Sequence, residues 1–452
     1  MEEKIESKFN ILMFPWIAHG HVFPFLELAK KLSNKNFHMY YCSTAINLDS
    51  IKTSFQERSS IKLVELQLPS FPDLPPYFHT TKNVPPNLMP RLFKAFQMSV
   101  SSFTDIISNL KPDLLIFDGF QPWAAEAASS MNIPAVHFVT TGAATYSFAY
   151  HGFICKDSTF PYPAVYLKDY ERKALQAESG QLERNEDDKD YSFGPLKLSN
   201  DIVLIKTCRG IEGKYMDYLS VLCKKKVVPV GPLITQSYNE ENDSEIVDWL
   251  STKPKLSTLF ISFGSENYLS KDQMEEIAKG LEFSNVNFIW VVRCPAGETQ
   301  TINVNEVMPK GFLDRTNDRG LIVQGWAPQA KILAHKSVSA FVSHCGMSSV
   351  TESFYFGVPV IAVPFKSDQP LNARLVVEAG AGVEVARDED GKFTSDDIVK
   401  AIHKVIVEPS GGKLRLRAME LSEKMKNEEE EAMNEAAEQL LQICMKYKQR
   451  KL

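Results

Sequence analysis

Short apolar runs of β character alternate with apolar positions at helical spacing from the start of the chain. Ile11–Pro15 reads as a strand, Phe25–Leu32 as a helix and Phe37–Cys42 as a strand with a period of two. This order predicts a βαβ opening and a parallel sheet, because parallel neighbours need a crossover that a helix supplies. Residues 69–90 hold seven of the 25 prolines, too many for a helix or a central strand, so a long surface loop is expected there. Leu92, Phe96, Phe103, Ile107 and Leu110 then recur at helical spacing and lead into Asp113–Phe117, a buried strand. A small-residue helix, Ala124–Ser130, and a further strand, Ala135–Val139, repeat the unit. Periodicity fades over Lys156–Asn200, which carries the acidic run Glu183–Asp190; an exposed loop is expected, with a substrate-side lid as the alternative.

A second series follows the polar stretch Leu233–Glu245. Thr258–Phe263, Asn287–Val292, Leu321–Val323, Ser339–Ser343 and Val358–Val363 read as strands, with Lys271–Phe283 as a helix. From Lys413 onward the chain is rich in Glu, Lys, Met and Leu, which predicts one or two long terminal helices. The division expected is a first domain over 1–233, a linker over 234–245 and a second domain over 246–435. A C-terminal helix over 436–452 is expected to pack back on the first domain. The fold class is α/β, with two doubly wound halves.

Composition narrows the function without naming it. With 44% apolar and 23% charged residues the chain is globular, and a net charge of −6 without a basic stripe speaks against a nucleic-acid partner. The seven cysteines are scattered with no C-x-x-C pair, so neither a zinc cluster nor a disulfide framework is written here, and a reducing compartment is expected. The charged N-terminus and the lack of any run of about 18 apolar residues predict a cytoplasmic protein without stable membrane insertion. A monomer without metal or resident cofactor is the expectation.

The strongest chemical signal lies between Trp326 and Gln369. The strand Ser339–Ser343 runs into His344-Cys345-Gly346-Met347-Ser348-Ser349 and a helix through Glu352. A helix that opens on Gly and consecutive serines offers backbone N–H groups, hydroxyls and a positive dipole end, a seat for a diphosphate; plain N-capping is the simpler use of the same serines. Trp326, in a turn before Pro328, is either a core indole or a platform for a nucleobase. Glu352 is either a surface carboxylate or an acceptor for two ribose hydroxyls. Asp368 and Gln369 follow a strand's carboxyl end, the edge where open α/β sheets place ligands.

This 44-residue segment resembles the signature box of plant UDP-sugar-dependent glycosyltransferases. The resemblance implies the GT-B fold, two Rossmann-like doubly wound domains facing across a cleft. It also implies that Trp326 stacks on uracil, that Gln329 and Glu352 hold the ribose, and that His344, Gly346, Ser348 and Ser349 bind the diphosphate. Asp368 and Gln369 would hold sugar hydroxyls, the closing glutamine suggesting glucose, with Ser265 as a further phosphate contact and Thr140 as a contact to the donor sugar. Where the family usually reads HCGWNS, this chain reads HCGMSS. Met347 keeps an apolar filler beside the sugar but removes an indole. Cys345 is expected to serve by its small body rather than its thiol.

The first half should supply the base. His21 follows the first strand in His19-Gly20-His21, and Asp118 ends the run LLIFD at the equivalent sheet edge. A sugar hydroxyl must lose its proton as it attacks, which suits an imidazole; a carboxylate behind the ring would fix its tautomer. The resemblance assigns those roles to His21 and Asp118. It also likens Phe14-Pro15-Trp16 and the stretch Glu212–Leu219 to branch-forming members, with core packing as the ordinary reading of both.

The function expected is inverting transfer of glucose from UDP-glucose, a co-substrate, to a sugar hydroxyl of a flavonoid or terpenoid glycoside. Alternatives are transfer to an aglycone, another UDP-sugar, or a non-catalytic nucleotide-sugar-binding protein. A nicotinamide oxidoreductase is disfavoured, since no G-x-G-x-x-G follows a strand with an acidic residue about 20 positions on. UDP is expected to need no basic surface, only a helix end and hydroxyls.

Overall fold

The computed structural model describes residues 8–52, 61–156, 158–181, 193–234, 240–293 and 308–450. Contacts divide the chain into two compact units. Met1–His151, Glu183–Thr235 and Asn427–Leu452 form the first, and Gly152–Leu182 with Gln236–Lys426 form the second.

The first unit is built on seven strands: β1 (Phe9–Phe14), β2 (Phe37–Ser43), β3 (Ile61–Glu65), β4 (Leu114–Phe117), β5 (Ala135–Val139), β6 (Ile202–Ile205) and β7 (Lys226–Pro229). They lie in the order β3-β2-β1-β4-β5-β6-β7, every neighbouring pair parallel. Both faces of such a sheet are covered, so its strands are apolar throughout and the two-residue period sorts side chains between two cores. Ile11 and Met13 join Phe25 and Leu28 of the helix His19–Ser33, together with Met433, Leu440 and Ile443 of the helix Pro409–Arg450. Leu12 and Phe14 point the other way, toward Phe96, Phe103 and Ala124. Each such fully buried large side chain contributes about 1.5–3 kcal/mol.

The second unit repeats the plan with β8 (Thr258–Ser262), β9 (Asn287–Val292), β10 (Gly320–Gln324), β11 (Val338–Ser343), β12 (Val360–Ala362) and β13 (Gly382–Glu384). These are ordered β10-β9-β8-β11-β12-β13 and again all parallel. Leu259, Ile261 and Trp290 pack with Ile277 and Leu281 of the helix Lys271–Ser284 and with Ile398 and Ile402 of the helix Ser395–Ile406. Reciprocal caps start both helices, Ser270 with Gln273 and Thr394 with Asp397. In each sheet the strand order reverses direction once, between β1 and β4 in the first and between β8 and β11 in the second. Open α/β sheets bind their ligands at that point.

Four expectations change. The proline-rich 69–90 stretch is a loop with short turns at Pro76–Phe78 and Pro86–Leu88, yet Leu74 and Val84 are buried in the first unit's core. Asn47 Nδ2 and Thr80 Oγ1 both donate to the Ile17 carbonyl, so the loop is tied over the end of β1. Of the polar 234–245 stretch, residues 235–239 lie outside the described residues, and Glu240–Ser251 is a helix. Ile246, Trp249 and Leu250, at helical spacing, pack it against the sheet. A single helix, Pro409–Arg450, runs through the boundary expected between 435 and 436, and its residues from Asn427 belong to the first unit.

The largest change concerns 152–182, which the sequence reading counted with the first domain and contacts place in the second unit. The cause is a buried ionic cluster. Arg374, only 4% exposed, donates through Nη2 to both oxygens of Glu171 at 2.8 and 3.0 Å and through Nη1 to Glu384. Lys168 Nζ reaches Glu384 at 3.0 Å, and the Arg374 guanidinium lies 4.8 Å from the Tyr166 ring centroid. The helix Asp169–Gln181 therefore replaces the loop expected over much of this segment, while the acidic run Glu183–Asp190 lies outside the described residues. Among the described residues no helix is long and apolar enough to cross a membrane.

Candidate active site

Three neighbouring strands of the first unit, β1, β4 and β5, end in residues that meet. Phe14 closes β1, and the chain turns through Trp16 and Ala18 into the helix His19–Ser33, which sets His21 in its first turn. Asp118 follows β4 directly and Thr140 follows β5. His21 Nδ1 lies 2.8 Å from Asp118 Oδ2 and 3.0 Å from Thr140 Oγ1. The Trp16 and Gly119 backbone N–H groups also donate to the Asp118 carboxylate, at 3.2 Å to Oδ2 and 2.6 Å to Oδ1. The Asp118 side chain is 4% exposed and that of His21 24%. A buried carboxylate thus stands behind a ring that solvent and substrate can reach. A proton on Nδ1 satisfies both oxygens that face it, which puts the basic lone pair at Nε2. Phe120 meets the ring edge-on at 5.4 Å.

Beneath this group lies His137 on β5, with Nδ1 3.2 Å from the Phe117 carbonyl and Nε2 3.2 Å from the Tyr146 hydroxyl. Burial pushes its pKa down to about 4, so it is neutral at ordinary pH and acts as packing beneath Gly119.

In the second unit, the carboxyl ends of β8 to β12 carry the other candidates. His344 follows β11, and burial lowers its pKa to about 4, with the charges of Lys366 and Arg293 pushing in the same direction. Its ring fills the space that side chains at two glycines would occupy. A Cβ on Gly264 would lie 2.7 Å from the ring, and one on Gly346 2.5 Å from Nε2. Cys345, at φ 64°, turns the chain between strand and helix, and burial raises its thiol pKa so that only its small body is used. The helix Met347–Tyr355 then begins with Gly346 at its N-cap and no side-chain cap, so the N–H groups of its first turn are presented to whatever lies there. Met347 is buried in that first turn, with Ser348 and Ser349 beside it.

Gln329 Nε2 donates to Glu352 Oε2 at 2.7 Å and to Ser349 Oγ at 3.2 Å, which brings three sequence candidates into one cluster. Trp326 is 55% exposed, with the Arg293 guanidinium 5.4 Å from its ring centroid. Asn372 Nδ2 joins the Cys345 carbonyl to Asp368 Oδ2, both at 3.0 Å. Gln369 Oε1 accepts the N–H groups of Phe365 and Lys366 at 3.0 and 3.2 Å, and its Nε2 donates to Asn267 at 3.4 Å. Gln369 therefore braces the loop that presents Asp368. Ser265 follows Gly264 at the end of β8, half-buried.

The acceptor-side motifs turn out to be packing. Phe14 stacks on Phe103 at 4.4 Å and Trp16 on Phe120 at 5.1 Å. Glu212 is fully buried; its Oε1 accepts the Ala144 N–H at 2.8 Å at the start of the helix Ala143–Ile154, and its Oε2 accepts from Thr207. Tyr215, Met216 and Leu219 are buried with it. Sequence reasoning missed Arg293 and gave Lys366 no role; for Arg293, a basic residue directly after the strand Asn287–Val292 was the available signal.

Comparisons with known proteins identify the family and the fold. A family model described as "Glycosyltransferase, N-terminal domain" matches residues 7–235, and one described as "UDP-glucoronosyl and UDP-glucosyl transferase" matches 241–438. The chain is 51% identical to a mogroside IIIx synthase of Siraitia grosvenorii, over 94% of this chain and 96% of the relative. It is 46% identical to a beta-D-glucosyl crocetin beta-1,6-glucosyltransferase of Gardenia jasminoides, over 95% and 98%. The fold matches that of Glycyrrhiza uralensis UGT73P12, solved with glycyrrhetinic acid 3-O-monoglucuronide, with a TM-score of 0.83 at 24% identity over 98% of this chain and 97% of that one.

Proposed function

Since the chain belongs to the UDP-glucoronosyl and UDP-glucosyl transferase family, we propose that it moves glucose from UDP-glucose to a sugar hydroxyl of a plant flavonoid or terpenoid glycoside, with inversion at the anomeric carbon. The observation that carries the chemistry is the 2.8 Å pairing of His21 Nδ1 with the buried Asp118 carboxylate. His21 Nε2 takes the acceptor proton as the oxygen attacks the anomeric carbon from the face opposite UDP. Asp118 stabilises the imidazolium that forms and holds the tautomer, while Thr140 Oγ1 steadies the same nitrogen. The breaking bond leaves its electrons on UDP. The first-turn N–H groups of the helix Met347–Tyr355, Ser349, Ser265 and neutral His344 stabilise that diphosphate. Trp326 stacks the uracil, Gln329 and Glu352 hold the ribose, and Asp368 reads the sugar hydroxyls.

A glycoside acceptor is favoured by the Gardenia jasminoides relative, whose name specifies a glucosylated acceptor and a β-1,6 link. No step calls on a metal, so chelation with EDTA should leave turnover unchanged. The same reading places the protein in the cytosol, in keeping with the unpaired cysteines among the described residues. Incubating the protein with UDP-glucose and a panel of aglycones and their glucosides, read by mass spectrometry, tests the whole. Gain of one hexose on glucosides supports the reading; gain on aglycones alone moves it to direct glycosylation, and no product leaves a binding protein.

A further inference from the structure

We propose that Arg293 and Lys366 form a pair of cations that receives the diphosphate of the donor nucleotide. The inference rests on the UDP-sugar reading above and adds to it a charge that neither the helix end nor the hydroxyls supply.

Arg293 stands at the carboxyl end of β9, and Lys366 on the loop after β12, on opposite sides of the β8–β11 pair where the strand order reverses. The Arg293 guanidinium is anchored over the Trp326 ring, and its Nε is buried with no acceptor among the described residues. Lys366 Nζ is held by the Glu266 carbonyl at 3.0 Å, next to Ser265. Among the described residues neither cation makes an ion pair with a carboxylate, although Glu352 and Asp368 belong to the same sheet edge. Both flank His344: Lys366 is tied to Glu266, two residues beyond Gly264, whose Cβ would lie 2.7 Å from the His344 ring, and Arg293 follows β9, the strand paired with β8 that leads to Gly264. A half-buried guanidinium without a counter-charge is unfavourable, and burial pulls its pKa down. An anion seated against His344 removes that cost.

The chemistry of that anion follows from its surroundings. The exposed Trp326 face selects a planar base at one end, and the open helix N-terminus selects phosphate oxygens at the other. A nucleoside diphosphate spans both. Two cations and a helix end together match the charge that the leaving group gains as the glycosidic bond breaks, so the pair assists departure as well as binding.

Titration calorimetry on the full-length protein with UDP and, separately, uridine tests the pair. Lys366→Met leaves Trp326 untouched and is expected to weaken UDP at least tenfold while changing uridine less than about threefold. Arg293→Met is expected to do the same, and Arg293→Lys, which keeps the charge, to stay within about threefold of the parent for UDP. Equal losses for UDP and uridine, or UDP affinity within twofold of the parent in either Met variant, would overturn the proposal. A parent protein that fails to bind UDP would instead remove the donor reading beneath it.

Discussion

His21 Nδ1 and Asp118 Oδ2 stand 2.8 Å apart although the two residues are 97 positions apart in the chain. What joins them is the parallel pairing of β1 with β4, which sets Phe14 against Phe117 and so brings the residues that follow each strand to one edge. The same device in the second unit pairs Ser262 with Ser343, setting Gly264 against His344. One topology, used twice, gathers the His21 group in the first unit and the His344 group in the second.

Replacing Asp118 by Asn keeps the size of the side chain and removes the charge that favours the imidazolium. Turnover is expected to fall by roughly 10²–10⁴. UDP affinity, measured by calorimetry, should stay at the parent value because no donor contact is touched.

Glu352 is the charged acceptor of Gln329 Nε2 at 2.7 Å. Glu352→Gln is expected to weaken UDP by roughly 10–100-fold, the worth of charge-assisted hydrogen bonds. Since uridine carries the same ribose, its affinity should fall in parallel, which separates this residue from the diphosphate cations.

Gly346 and Gly20 make a matched pair of tests. A Cβ on Gly346 would lie 2.5 Å from His344 Nε2, whereas one on Gly20 would meet nothing within 4 Å. Gly346→Ala should lower stability by about 1–3 kcal/mol and weaken UDP about tenfold. Gly20→Ala should leave stability within about 1 kcal/mol of the parent, both read by denaturant unfolding.

Stability should fall in mild acid for a stated reason. His137 and His344 are both held at about 4, against an ordinary value near 6.5, by burial. Between those values the unfolded chain binds protons that the folded chain refuses, so unfolding becomes easier as pH drops from 6.5 toward 4. The full effect is up to about 3 kcal/mol for each histidine. Urea midpoints at pH 7 and 4.5 measure it, and His137→Gln should flatten the dependence by its share.

The strands with long apolar runs, and the box from Trp326 to Gln369, were legible because each signal lies within a few neighbouring residues. Ala135–Val139 and Asn287–Val292 have the bounds that periodicity gives them. β3, β7 and β13 were not assigned, since charged residues or glycine break their short apolar runs, and the four-residue β6 was passed over behind the aperiodic 156–200 stretch. Contacts across sequence were out of reach altogether: Arg374 and Glu171 are 203 positions apart, and nothing local in either announces the buried pair that carries 152–182 into the second unit. Glu212 was visible as part of a stretch likened to branch-forming members, and its buried side chain caps a helix, which is the packing that was the ordinary reading of that stretch. Arg293 escaped because its meaning comes from standing over Trp326 without a carboxylate.

The His21 assignment is tested most directly by His21→Ala, with steady-state turnover of UDP-glucose and a glucoside acceptor measured beside UDP affinity. The expected result is a loss of at least about 10² in kcat with UDP affinity unchanged. Turnover near that of the parent, with UDP still bound, would contradict the role of the His21–Asp118 pair.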